Sequence, residues 1–172
     1  VANGSEFSFA LAASADGDTI TMLPGTYFQS PGWAFANKTL TIQGSTGNRE
    51  DVVIDGMNLV VGLWIDGAGA DGSVIRHLTV RNGRGPTASN SSGAGLRIIG
   101  ADVTLRNCLI EDNHLPSSDG NGAGIYASQG NITIEDCLIR NNTIDSLLGD
   151  GWGVYFNAGS HAMARRMTSG NA

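Results

Sequence analysis

A repeat of 29 residues is the feature that most limits how this chain can fold. The segment VTLRNCLIEDN at 103–113 aligns without gaps with ITIEDCLIRNN at 132–142. Steps of 30 from these segments reach VIRHLTVRNG at 74–83 and MARRMTSGN at 163–171. Four copies in one register predict a solenoid, in which each repeat buries its apolar face against its neighbours.

Glycine-rich segments repeat in phase with this pattern. GAGLRI at 93–98, GAGIYA at 122–127 and GWGVYF at 151–156 are spaced by 29 residues, and VGLWID at 61–66 is an earlier copy. Apolar and polar residues alternate as in half-buried strands, so each repeat has a glycine-led strand, two further strands and a loop. Because each strand needs its partner in the next repeat, the chain must coil, with turns about 4.8 Å apart. The predicted fold class is all-β, a parallel β-helix solenoid of about five turns of roughly 30 residues.

The repeat also predicts which residues form columns along the solenoid. Tight corners between strands favour polar residues, and asparagine above all, because its side chain can bond to the bend backbone. Cys108 and Cys137 fall at an inward position in adjacent turns, where we favour buried thiols over a disulfide. Two inward columns are Leu78, Cys108, Cys137 and Met167, and Ile75, Leu105, Ile134 and Ala164. Two corner columns are His77, Asn107, Asp136 and Arg166, and Asn82, Asp112, Asn141 and Asn171, the latter with Asn113 and Asn142 beside it.

The two ends of the chain differ, although the length predicts a single domain over 1–172. Residues 5–14 suit a short amphipathic helix with Ser5 as its N-cap, and 1–17 would cap the solenoid. Residues 18–172 would form the stacked turns, with no comparable cap after them. We therefore expect a longer protein, or a partner that stacks on the last turn.

Composition and charge exclude several classes of partner. The formal net charge of −6 repels phosphate backbones, which argues against nucleic acid. No run of apolar residues approaches the ~18 that a membrane-spanning helix needs. The two cysteines lack the spacing of a zinc site, and the sequence predicts no cofactor.

Several of these strings resemble the right-handed parallel β-helix proteins of the pectate-lyase-like superfamily. They are NCLIEDN and DCLIRNN, GAGIYAS and GWGVYFN, and the opening DGDTITMLPGTYF at 16–28. The resemblance implies a right-handed coil and covers nearly the whole chain. It implies little about function, because the superfamily contains polysaccharide lyases, glycoside hydrolases, esterases and non-catalytic surface proteins. The GAGIY strings are more similar to secreted or cell-surface, adhesin-like members, and the opening string to carbohydrate-active ones.

The resemblance also implies that the glycine-led strands form the sheet that carries the substrate groove in polysaccharide lyases. Aromatic side chains stacked one per turn on this sheet suit a ridge on which sugar rings lie, with an arginine binding a uronate or sulfate. The same column also suits a ladder of side chains that stabilise one another, which is the favoured interpretation. With Leu63, Leu96, Ile125 and Val154 inward, the outward column is Trp64, Arg97, Tyr126 and Tyr155.

Candidate catalytic groups are sparse. Asp66 heads the next outward column, but hydrolysis of a glycoside needs two carboxylates, and a calcium-dependent lyase needs several. His114 lies in a predicted loop, where it is either exposed to solvent or a residue of the groove. Calcium in the oxygen-rich loops stays as an alternative, although no DxDxDG spacing occurs.

The favoured function is therefore a non-catalytic β-helix module of a secreted or cell-surface protein. It would bind a polysaccharide, a cell-surface glycan or a protein through its glycine-led sheet, using Trp64, Arg97, Tyr126, Tyr155, His114 and Asp66. The alternative is the N-terminal part of a carbohydrate-active enzyme, a polysaccharide lyase or glycoside hydrolase.

Overall fold

The computed structural model describes residues 1–87, 92–117, 119–145, 150–157, 161–165 and 168–170. Helix α1 (Gly4–Ala13) precedes the strands, and a short 3-10 helix spans Ala68–Ala70. The first strands are β1 (Thr19–Met22), β2 (Gly25–Tyr27), β3 (Trp33–Ala36), β4 (Thr41–Gly44), β5 (Val52–Asp55) and β6 (Leu63–Asp66). Next come β7 (Ser73–Arg76), β8 (Thr79–Arg81), β9 (Leu96–Ile99), β10 (Val103–Arg106), β11 (Leu109–Glu111), β12 (His114–Leu115) and β13 (Ile125–Ser128). The last are β14 (Asn131–Glu135), β15 (Leu138–Arg140), β16 (Thr143–Ile144), β17 (Val154–Phe156), β18 (His161–Arg165) and β19 (Thr168–Gly170).

Strands of successive turns pair in parallel and form three long sheets. The first sheet has the order β1-β4-β7-β10-β14-β18, the second β2-β5-β8-β11-β15-β19, and the glycine-led sheet β3-β6-β9-β13-β17. The predicted all-β parallel solenoid with an N-terminal helix is confirmed. Each turn contributes one strand to each sheet. The described strands number six in two sheets and five in the third, close to the predicted five turns.

The register follows the sequence repeat. Leu105 pairs with Ile75 on one side and Ile134 on the other, and Ile134 pairs with Ala164. Ile75, Leu105 and Ile134 are buried, as predicted for an inward column. Leu78, Cys108 and Cys137 are also buried, whereas Met167, Arg166 and Asn171 lie outside the described residues.

Helix α1 covers the first turn, but it begins earlier than the sequence suggested. Asn3, not Ser5, is the N-cap, and its side chain accepts a hydrogen bond of 2.9 Å from the backbone N–H of Glu6. The Glu6 carboxylate in turn accepts from the N–H of Ala2 at 2.8 Å, which fixes the start of the helix from both sides. Phe7 and Leu11 face the core, whereas Phe9 is 75% exposed.

The polar corners adopt a left-handed backbone. The φ angles of His77, Asn107 and Asp136 are 57°, 48° and 52°, a conformation that polar residues tolerate best. Asn107 Nδ2 also lies 3.0 Å from Nδ1 of His77 and donates to the carbonyl oxygen of Gly47 at 2.9 Å. This corner column therefore binds the segment 45–51 in addition to turning the chain.

The segment 45–51 crosses several turns of the solenoid. The Arg49 guanidinium donates through Nη1 to the carbonyl oxygen of Asp136 at 3.0 Å, 87 residues away in sequence. The Thr79 hydroxyl donates to the carbonyl oxygen of Arg49 at 2.8 Å. This segment therefore ties the second turn to the later ones, a contact that the repeat pattern does not encode.

Protonation of His77 should destabilise the fold. Burial, together with the charges of Arg76 and Arg106, lowers the pKa of His77 below its ordinary value of 6.5. A lowered pKa means that the folded state prefers the neutral ring, so stability is lost as the pH falls from about 6.5 towards the folded-state pKa. His77→Asn should reduce this loss, because Asn107 occupies the same corner conformation one turn later. Urea unfolding of wild type and His77→Asn at pH 7 and pH 5 measures this loss of stability. An equal loss in the two proteins would contradict the role assigned to His77.

Two buried asparagines form a hydrogen-bonded chain inside the solenoid. Asn113 accepts from the N–H of Gly83 at 2.8 Å and donates through Nδ2 to Oδ1 of Asn142 at 2.8 Å. Asn142 donates through Nδ2 to the carbonyl oxygen of Ile110 at 3.0 Å. Both side chains are fully buried, so the amides satisfy backbone groups that the strands leave unpaired. The repeat predicts the place of these residues beside the corner column but not their burial.

The two cysteines are buried free thiols, as favoured from the sequence. The N–H of Cys108 lies 3.4 Å from Sγ of Cys137. Hydrogen bonding to Cys137 and burial hold the pKa of the Cys108 thiol well above its ordinary value. Cys108 is therefore a protonated, packed side chain and a poor nucleophile at neutral pH.

Candidate functional site

The glycine motifs support the outward residues of the glycine-led sheet. The first glycine of each motif has a left-handed backbone, with φ of 75° at Gly93, 69° at Gly122 and 67° at Gly151. A Cβ on Gly122 would lie 2.9 Å from Cα of Tyr126, so the loop folds back directly beneath that residue. Glycine is required there because the backbone is left-handed and the space is already filled.

The structure contains the predicted outward column, the ladder, which consists of Trp64, Arg97, Tyr126 and Tyr155. Trp64 pairs with Arg97, Arg97 with Tyr126, and Tyr126 with Tyr155. Ala34 precedes Trp64 in the same column, one turn earlier. The glycine motif does not identify Ala34, because the first turn lacks that motif, although a step of 30 back from Trp64 reaches it.

Side-chain contacts within the ladder cover one face of each of its three aromatic rings. The rings of Tyr126 and Tyr155 are stacked, with centroids 6.0 Å apart and planes inclined by 7°. Cζ of Arg97 lies 4.8 Å from the centroid of the Trp64 ring, a cation–π contact. The stacking expected of a self-stabilising column is therefore present at both contacts.

Hydrogen bonds hold Arg97 and Tyr126 in these positions. Nη1 of Arg97 donates to the carbonyl oxygen of Ser92 at 3.1 Å, whereas its Nε is buried without a hydrogen-bond partner in the described part of the chain. The Tyr126 hydroxyl accepts from Nδ2 of Asn157 at 3.0 Å, which leaves its own proton free to be donated. Arg97 and Tyr126, in adjacent turns, are therefore donors held in place by hydrogen bonds.

Asp66 lies on the same face of the sheet, two residues after Trp64 in β6. It pairs with Ala36 on one side and Ile99 on the other, and it lines a shallow hollow beside Trp64. Among the described strands of the glycine-led sheet it is the one carboxylate that faces outward. The structure therefore brings Asp66 to the ladder without a second carboxylate.

His114 belongs to a different element. It lies in β12, which pairs with β16 in a small two-stranded sheet, and not in an open loop. Its Nδ1 is 3.0 Å from Oγ1 of Thr143, and its Nε2 is 3.3 Å from Oδ2 of Asp145. These contacts assign His114 to the packing of neighbouring turns, apart from the glycine-led sheet.

The described residues include no group of three or more histidine, cysteine, aspartate or glutamate side chains arranged to hold a metal ion. Calcium therefore stays an expectation from the sequence. None of the helices in the described part of the chain has the length and apolar character needed to span a bilayer.

A family model for the right-handed β-helix region matches residues 35–169. The chain belongs to the right-handed β-helix family. This match confirms the handedness implied by the sequence resemblance, and the ladder is therefore a surface column of a right-handed β-helix. No curated protein matches the sequence.

Solved structures with a similar course of the chain include carbohydrate-active enzymes. Two structures of the pectin methylesterase from Aspergillus niger cover the whole chain at 13% identity, with TM-scores of 0.37 and 0.39, and 84% and 85% of the esterase chain is matched. A polysaccharide lyase of family PL6 from Pseudopedobacter saltans matches 91% of this chain and 41% of its own, at 12% identity and a TM-score of 0.32. At 12–13% identity these structures are distant from this chain.

Proposed function

We propose that this β-helix is a non-catalytic module of a secreted or cell-surface protein that binds an extended glycan along the ladder. The observation that carries the proposal is a row of hydrogen-bond donors in one outward column: the two tyrosine hydroxyls and the Arg97 guanidinium, with Trp64 beside them. Successive turns are about 4.8 Å apart, so a glycan lying along the solenoid axis would meet one donor group per turn.

Hydrogen bonding, more than ring stacking, would carry this recognition. The facing surfaces of Tyr126 and Tyr155 are occupied by each other, and one face of Trp64 is occupied by Arg97. Sugar hydroxyls would therefore meet hydroxyl and N–H groups at the ring edges. A carboxylate on the glycan would find a charge-assisted partner in Arg97.

The single carboxylate on this face supports a binding role over hydrolysis. Two carboxylates about 5 to 9.5 Å apart carry glycoside hydrolysis in most such enzymes. Asp66 has no such partner on the described glycine-led strands. The enzymatic alternative requires groups from outside this face.

Removing the two tyrosine hydroxyls should weaken glycan binding and leave the fold intact. The double variant Tyr126→Phe and Tyr155→Phe keeps both rings but deletes both donors. We expect wild type to bind polygalacturonate and the double variant to bind about thirtyfold more weakly, because each of the two hydrogen bonds contributes about 1 kcal/mol. Isothermal titration measures this, with dextran as the neutral probe.

Arg106→Gln is the matched control, because Arg106 pairs with Glu135 on the first sheet, away from the ladder. It should bind like wild type. Failure of wild type to bind either polysaccharide, or equal binding by the double variant, would reject the ladder as the binding surface. Depolymerisation of polygalacturonate that is lost in Asp66→Asn would instead establish the enzyme.

A further inference from the structure

A second site lies at the N-terminal end of the glycine-led sheet, where an open cleft of about 410 Å³ borders Trp64. Segments that precede this sheet in three successive turns build its walls. Its floor includes Ala34, whose methyl group stands where the ladder has larger side chains in later turns. The wall residues that matter for recognition are Pro31, Leu59, Val60, Arg84 and Pro86.

Backbone hydrogen bonds hold these walls in place. The N–H of Arg84 donates to the carbonyl oxygen of Val60 at 2.8 Å, joining the walls from the second and third turns. Gly32, with φ of 98°, packs so closely that a Cβ there would lie 2.6 Å from the carbonyl oxygen of Val61. The cleft is therefore already formed without a ligand, and its size lies within the range of about 300–1,000 Å³ typical of small-molecule sites.

The lining of the cleft is apolar except for one cation. Leu59 is 67% exposed and Trp64 37% exposed, although large apolar side chains gain from burial. Arg97 covers one face of the Trp64 ring, and on the other side its neighbour in the ladder is only Ala34. An apolar ring could therefore lie against Trp64 above Ala34.

Arg84 supplies the charge. Its side chain has no ion pair among the described residues, in contrast to Arg81, Arg106 and Arg140. None of the residues that line the cleft carries a carboxylate. An apolar surface beside one unpaired guanidinium is complementary to an apolar body bearing one negative group.

We propose that this cleft binds a small aryl carboxylate, with its ring on Trp64 above Ala34 and its carboxylate on Arg84. This site differs from the ladder in ligand and position and does not depend on glycan binding. Trp64 borders both surfaces, so the variants that test the cleft are chosen elsewhere.

The test compares 3-phenylpropionate with 3-phenylpropanol, which differ in the negative group and share the apolar ring. Isothermal titration of wild type should show the carboxylate binding at least tenfold more tightly than the alcohol, as a charge-assisted hydrogen bond predicts. Arg84→Gln should remove that difference by weakening 3-phenylpropionate alone. Ala34→Leu should abolish binding of both, because the longer side chain fills the floor.

Ala36→Leu is the matched control for the cleft, since Ala36 is also outward in β3 but does not line it. It should bind 3-phenylpropionate like wild type, and so should the double tyrosine variant of the ladder. The proposal is overturned if acid and alcohol bind equally, if neither binds, or if Ala34→Leu still binds the acid. A wild-type protein that binds 3-phenylpropionate but neither polysaccharide would reject only the ladder.

Discussion

Asn113→Ala should lower the free energy of unfolding by about 3 kcal/mol or more, because it leaves several buried polar groups without partners. The change removes the acceptor for the Gly83 N–H at 2.8 Å and the donors to Val80 O at 3.3 Å and Asn142 Oδ1 at 2.8 Å. Water cannot replace them readily, since Asn113 and Val80 are fully buried. Urea denaturation followed by circular dichroism measures the loss.

Asn157→Ala is the comparison for this prediction. Asn157 is exposed, and its amide bonds the Tyr126 hydroxyl at the surface, where solvent can take over. It should change stability by less than about 1 kcal/mol. Equal urea midpoints for Asn113→Ala and wild type would show that the buried amides contribute nothing to stability.

Gly124→Ala should destabilise the β-helix by about 3 kcal/mol through overpacking. Gly124 is buried between turns, and a Cβ there would overlap the carbonyl oxygen of Gly153 and lie 2.9 Å from Nδ2 of Asn142. Neither atom can move freely, because one belongs to the strand backbone and the other to the buried amide chain. The second glycine of the motif is thus required for space.

Gly17→Ala separates this cost of space from the cost of backbone conformation. Gly17 has φ of 84°, but a methyl group added there would meet nothing within 4 Å, so only left-handed strain should appear, about 1 kcal/mol. In thermal unfolding, the melting temperature of Gly124→Ala should therefore lie clearly below that of Gly17→Ala. A larger effect at Gly17 than at Gly124 would contradict the packing explanation.

Much of the candidate site follows from the repeat alone. Stacked parallel strands place residue i beside its counterpart one repeat later, so the column of Trp64, Arg97, Tyr126 and Tyr155 could be written from the sequence. The inward column of Ile75, Leu105 and Ile134 follows in the same way. Ring orientation does not, because the repeat fixes Cα positions and leaves side-chain torsions to local contacts.

Features outside the repeat required the tertiary structure. The sequence predicts a loop at His114, whereas the structure has a strand there that pairs with the strand of Thr143. This strand is only two residues long, which is too short to show an alternating pattern in the sequence. The helix start depends on whether Asn3 or Ser5 caps the first turn, and in the structure Asn3 does so by accepting from the Glu6 N–H. These are local competitions between nearly equivalent groups, which composition and spacing do not resolve.

The sequence by itself determined the β-helix, its register and the residues of the ladder, because every repeat must present the same apolar columns to its neighbours. Only the tertiary structure decided the crossing of segment 45–51, where Arg49 reaches Asp136, and the cleft between Val60 and Arg84. The physical reason is that these contacts join non-repeating segments from different turns. Their positions depend on the coiled chain, which carries residues far apart in sequence to the same edge.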